Sequence, residues 1–195
     1  MSIPLADPVN DRDHARGPSD APVTLLEYGD YECQYSGHAY YIIQQLERDL
    51  AGQIRFVFRN FPLTQIRPHA LPAALAAEAA DKQGRFWEMH NILYEQQDSL
   101  EPEYLIAFAQ VLGLDIEQFI DDMTSDEVGA RVREDFVGGI GSGVNLTPTF
   151  FINGDRHDGA YDYDTLRKAI EDEIKRQESR QDKGAAAREH SRSRS

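Results

Sequence analysis

The sequence predicts an α/β fold interrupted by a block of helices, and three observations carry that prediction. Two short apolar runs, Val23 to Tyr28 and Ile54 to Phe58, flank a stretch whose apolar residues recur at helical spacing. About seventy residues of helical character follow the second run. A third apolar run, Thr147 to Ile152, then passes through Asn153-Gly154 into a last amphipathic segment.

Each element follows from its local pattern. Val23 to Tyr28 is bounded by Gly17-Pro18-Ser19-Asp20-Ala21-Pro22 and by Gly29-Asp30, as a buried strand requires. From Ser36 to Leu50, Tyr40, Ile43, Leu46 and Leu50 share one helix face, and Gly52 stops that helix before the strand Ile54–Phe58. Strand, helix and strand of this size form a parallel unit with a right-handed crossover. After Asn60-Phe61-Pro62-Leu63, the helices expected are Leu71 to Gln83, Arg85 to Gln96, Pro102 to Leu112, Ile116 to Met123 and Val128 to Ile140. Residues near Arg156 to Gly159 should pair with the Thr147–Ile152 strand as an edge, and Tyr163 to Ile174 should form the last helix. The domain plan is an extended lead-in over 1–20, one α/β domain over 21–178 with its helical insertion at about 64–140, and a disordered tail over 179–195.

The totals bound the function. The 195 residues, 41% of them hydrophobic, suffice for one domain with a substantial core. Of the net charge of -14, the last twenty residues contribute six Lys or Arg against three Asp or Glu, leaving about -17 on the rest. Such an acidic body repels phosphate backbones, so nucleic acid is not an expected partner, and the Ser/Arg ending reads as a solvated tail. No apolar stretch reaches membrane-spanning length, and Met1 to Gly17 lacks the pattern of a secretory signal, so a cytoplasmic location without membrane attachment is expected. The six histidines (His14, His38, His69, His90, His157 and His190) show no spacing that argues for a metal, and none is expected. Gly138-Gly139 and Gly141-Ser142-Gly143 lack the Lys of a phosphate loop and read as a flexible joint; Phe86-Trp87 reads as core packing.

The chemistry concentrates at the lone cysteine. Cys33 lies in Glu32-Cys33-Gln34-Tyr35-Ser36-Gly37, where the strand hands over to the helix. Unpaired amides and the helix dipole at that position favour the thiolate, and Ser36, one turn in, is expected to donate a hydrogen bond to it. A thiolate is the nucleophile of disulfide exchange. A buried cysteine serving as a small apolar residue is the competing reading.

Several further motifs carry a resemblance. Arg12-Asp13-His14-Ala15-Arg16-Gly17-Pro18, Glu27 to Cys33, Phe58-Arg59-Asn60-Phe61-Pro62-Leu63, Gly84 to His90, and Thr147-Pro148-Thr149-Phe150-Phe151-Ile152-Asn153-Gly154 together resemble the DsbA-like thiol:disulfide oxidoreductases of the thioredoxin fold. The resemblance spans about Arg12 to Ile174. It implies a thioredoxin fold with an all-helical insertion and a redox-active centre at Cys33. It also implies a cis Pro148 facing the thiol, a Thr147 backbone able to pair with an extended substrate, and a semi-buried acid, Glu27, that carries protons to and from the sulfur. Gln34 and Tyr35 occupy the dipeptide that tunes the nucleophile and meets substrate. The insertion is expected to shape an apolar groove beside Cys33.

Two departures redirect the chemistry. Ser36 replaces the second cysteine of the family motif, and Gln34 replaces its usual proline. Intramolecular attack by a second thiol draws on effective molarities of about 10⁵ M or more, and Ser36 cannot supply it. The expectation is therefore a monothiol oxidoreductase whose mixed disulfides at Cys33 are resolved by an external thiol such as glutathione. No cofactor is expected, glutathione entering only as co-substrate. Partners would be a thiol- or disulfide-containing protein or peptide, or glutathione, with the chain a monomer or weak dimer. A glutathione-binding transferase or isomerase on the same fold and a redox-inactive peptide-binding module stay open as alternatives.

Overall fold

The computed structural model describes residues 4–192, with side chains through residue 180. Its order is β1 (His14–Arg16), β2 (Val23–Gly29), α1 (Gln34–Asp49), β3 (Ile54–Asn60), α2 (Ala70–Asp81), α3 (Phe86–Glu95), α4 (Pro102–Val111), α5 (Ile116–Met123), α6 (Asp126–Gly141), β4 (Thr149–Ile152), β5 (Asp155–Arg156) and α7 (Tyr163–Arg192).

One five-stranded sheet runs in the order β1-β3-β2-β4-β5. β2 and β3 are parallel, Val23 opposite Ile54 through Gly29 opposite Asn60, as the intervening helix α1 dictates. The other pairings are antiparallel. Asn153 (φ 49°) and Gly154 (φ 85°) both take the left-handed backbone that a two-residue hairpin demands, which brings β5 back onto β4. β5 covers two residues and ends at Arg156, short of the edge strand expected to Gly159.

Strand alternation divides the core. Val23 and Leu25 of β2, with Ile54, Phe56 and Phe58 of β3, face the larger cluster built with α1, the helical block and Leu166, Ile170 and Ile174 of α7. Leu26, Tyr28, Val57 and Phe151 face the opposite way, onto Phe61, Val144 and Phe136. Within the helical block, α2 is buried nearly all round through Ala73, Ala74, Ala76, Ala77, Ala79 and Ala80. Side chains this small let α3, α4, α5 and α6 all pack against it. Trp87, on α3, lies against Phe56 of β3 and Phe86, with the Arg16 guanidinium 4.5 Å from its ring centre.

Two parts of the domain plan are corrected. The lead-in is structural rather than merely extended. His14–Arg16 add β1 to the sheet edge beside β3, and Leu5 and Val9 pack onto the second face of the sheet. A buried ion pair fastens this segment: Arg59 donates to Asp13 from Nε (2.7 Å) and Nη2 (2.9 Å), while Nη1 reaches the Asp7 carbonyl and the Tyr28 hydroxyl. Three residues of a polar stretch carry too little periodicity to announce a strand. At the other end α7 continues to Arg192, past Ile174 and through most of the expected tail. Apolar period stops near Ile174, yet Lys, Arg, Gln, Glu and Ala are all strong helix formers, so the backbone keeps its helical ladder. Residues 193–195 lie outside the described residues, as does the side chain of His190.

The glycines read as a flexible joint are also corrected. Gly138 and Gly139 belong to α6, and a Cβ on Gly139 would stand 2.7 Å from the Phe61 ring. Close packing, not flexibility, requires that glycine. Among the described residues no helix is long and apolar enough to cross a membrane.

Candidate active site

The turn between β2 and α1 presents Cys33. The Cys33 amide donates to the Asp30 carbonyl (3.0 Å), closing a tight turn, and the Cys33 carbonyl accepts from Gly37 N (2.9 Å) to start α1. Gln97, just beyond α3, braces the turn: its Nε2 donates to the carbonyls of Tyr31 (2.6 Å) and Cys33 (2.9 Å). Gln97 also lies directly over Gly37, where a Cβ would stand 2.2 Å from its side-chain oxygen.

Cys33 is fully buried, and its sulfur has two polar partners. Its Sγ donates to the Thr147 carbonyl oxygen at 3.3 Å, and Arg67 Nη2 donates to Sγ at 3.3 Å. The Thr147–Pro148 peptide bond is cis, and both residues are buried. Arg67 keeps part of its side chain in solvent (18%) and is held from behind by the buried carboxylate of Asp30 at 3.1 Å. Asp30 also accepts from the amides of Leu63 (3.0 Å) and Glu32 (2.9 Å), while burial raises its pKa. Glu32 in turn holds His69 through its amide (2.6 Å) and its Nδ1 (3.1 Å).

Ser36 does not do what its position in the motif suggested. Its Oγ is fully buried and accepts from Asp30 N at 3.4 Å, and among the described residues the hydrogen-bond partners of Sγ are Thr147 and Arg67. Cys33 occupies the cap position of α1 without a side-chain cap hydrogen bond, so the helix amides do not hold the sulfur either. Behind Ser36, the buried Tyr94 hydroxyl reaches toward Oγ without closing a hydrogen bond.

The family model Thioredoxin_4, described as thioredoxin, matches residues 9–172. The chain belongs to the thioredoxin family. Its fold is DsbA-like: it is similar to BdbD from Bacillus subtilis in its oxidised form (TM-score 0.78, 26% identity, 90% of this chain and 100% of that one). It is also similar to a thioredoxin-like oxidoreductase from Silicibacter pomeroyi DSS-3 (TM-score 0.76, 28% identity, 85% and 94%). Among curated proteins, the "Na(+)/H(+) antiporter NhaA 1" of Salinispora arenicola is 46% identical over 169 residues, 86% of this chain. That match covers 26% of the antiporter, so the chain spans about a quarter of the length of the curated relatives it matches.

The remaining residues singled out in the sequence fall as follows. Glu27 lies on the core-facing side of β2, is 1% exposed, and has one oxygen without a hydrogen-bond partner. Burial raises its pKa to about 8 against the opposing pull of Arg16, so it is a neutral carboxylic acid in the folded protein near pH 7. Burial pushes up the phenols of Tyr31 and Tyr94, and Glu27 adds to both shifts once it ionises. Gln34 and Tyr35 are exposed beside Cys33, Tyr35 at 54%. His38 is on the exposed face of α1, while His90 is buried among aromatic rings and bonded to the Tyr31 hydroxyl (3.0 Å). The apolar hollow in the helical block is lined by Pro62, Leu71, Leu75, Val132 and Phe136, not by Cys33.

Sequence reasoning missed Arg67 and Gln97, because both reach the cysteine from 34 and 64 residues away. It also missed a polar junction in which His14 Nε2 meets Glu78 at 2.9 Å and Asp81 approaches Nδ1 at 3.6 Å. Asn60 Nδ2 adds a 2.6 Å bond to Glu78, so this junction ties β1 and β3 to α2.

Proposed function

We propose that the chain is a monothiol member of the DsbA-like oxidoreductases, exchanging disulfides through Cys33 with an external thiol such as glutathione completing the cycle. The observation that supports this most is the sulfur held between an arginine and the Thr147 carbonyl, next to Pro148. That arrangement sets the Cys33 sulfur beside a backbone segment against which an extended peptide can lie. Tyr35, Ile66 and Leu146, exposed by 54%, 71% and 58%, each stand within two residues of Cys33, Arg67 or Thr147 and offer an apolar rim for that peptide.

The chemistry balances with one cysteine. The Cys33 thiolate attacks a disulfide R–S–S–R′, forming Cys33–S–S–R and releasing R′–S⁻. An external thiolate then attacks the R sulfur and returns the electron pair to Sγ. Substrate approaches from the side of Arg67, whose side chain borders solvent. The transferase-like alternative asks Ser36 to meet a bound thiol, which a fully buried Oγ facing the Asp30 amide does not favour.

Turnover of a glutathionylated peptide by glutathione tests the reading. The wild type should release the peptide thiol catalytically and Cys33→Ala should not. Equal, uncatalysed rates for the two would leave a non-redox binding module as the better account.

A further inference from the structure

Resting on the exchange reading, we propose that Arg67 is a catalytic residue of this site: it stabilises the ionised Cys33 sulfur and the same sulfur when it departs from a mixed disulfide. The two groups touching Sγ favour opposite protonation states. The Thr147 carbonyl accepts from S–H and so favours the thiol, whereas the Arg67 guanidinium donates to sulfur and favours the thiolate. No other donor takes that part, since Ser36 and the α1 amides leave Sγ alone among the described residues.

Arg67 is placed for this by a clamp. Nη1 is bound to the buried Asp30 while Nη2 faces the sulfur, so a planar fork divides its donors between an anchor and a reactant. Tyr161 also senses the sulfur; its phenol is raised by burial first and by Cys33 second, and is not positively charged in either form. Asp30 lies behind the guanidinium, and Glu32 is taken up by His69.

The electron accounting shows where the effect acts. In the mixed disulfide Cys33–S–S–R the sulfur is neutral and Arg67 has no anion to face. When an external thiolate G–S⁻ attacks the R sulfur, the products are R–S–S–G and Cys33–S⁻, and the electron pair returns to Sγ against Nη2. Stabilising the departing thiolate speeds this step, the one a protein without a resolving cysteine must draw from solution.

The ultraviolet absorbance of the thiolate, followed against pH, reads ionisation directly and needs no turnover. Arg67→Gln should raise the titration midpoint by about one pH unit, equivalent to about tenfold less thiolate below it. Arg67→Lys, which keeps the charge but loses the fork, should fall between Gln and wild type. Release of a preformed glutathione adduct from Cys33 by excess glutathione should slow in the same order. Should Arg67→Gln fail to fold, Arg67→Met, which keeps the apolar stem, reads the same midpoint. A midpoint unchanged in a folded Gln or Met variant overturns the inference. A shifted midpoint in a protein that never turns over glutathionylated peptide upholds the role of Arg67 and removes the exchange reading instead.

Discussion

Cys33 Sγ sits between a carbonyl that prefers the protonated sulfur and a guanidinium that prefers the bare one. Ser36 stands one helical turn on, its small hydroxyl accepting a long bond from Asp30 N. Replacing Oγ by sulfur changes little volume, so Ser36→Cys should fold and create a dithiol. The expected outcome is a measurable two-electron reduction potential in glutathione buffers; a variant in which both thiols remain free in oxidising buffer would contradict the proposed geometry. That Cys33 and Ser36 sit one helical turn apart at the start of α1 was legible because they are neighbours in the chain. The identity of the sulfur's donor was not, because only the folding of the Leu63–His69 segment against Asp30 brings Arg67 to it.

At the scale of elements, the β2–α1 turn depends on α3's C-terminal neighbour. Gln97 satisfies two carbonyls of the turn, and each buried acceptor left without a donor costs about 1–3 kcal/mol. Gln97→Ala should therefore lower stability by about 2 kcal/mol in urea unfolding and slow exchange at Cys33; unchanged values of both would show the brace to be idle. The helices and the three longer strands were legible from apolar periodicity and punctuating glycines such as Gly52, Gly84 and Gly113. β1 and the far half of α7 were not. β1 is held by pairing with β3 and by Asp13–Arg59, a long-range contact, and the far half of α7 has helix propensity without apolar period.

Across the whole molecule, buried acids set the response to pH. Glu27 is raised from 4.5 to about 8 and Asp135 from 3.8 to about 6, both chiefly by burial. Unfolding lets each release a proton over those intervals, so the unfolded chain binds fewer protons and stability falls as pH rises through them. Asp13 acts oppositely: burial works to raise it, but its bonds to Arg59 and the Asn10 amide together outweigh that and lower it, so it contributes stability above 3.8 that is lost as pH falls through its folded value. Urea unfolding should thus show greatest stability at weakly acidic pH and a decline toward pH 8 on the order of a few kcal/mol. Glu27→Gln should flatten the alkaline decline, and an unaltered slope in that variant would mean Glu27 is ionised in the native protein.

Trp87 is the chain's one tryptophan, and it bridges the helical block to Phe56 of the sheet beneath the Arg16 guanidinium. Its indole therefore serves as a native fluorophore on the seam between the two halves of the fold. A red shift in its emission will announce parting of that seam without any label. Paired with a backbone signal for the sheet, it makes the order in which the halves come undone a directly observable quantity.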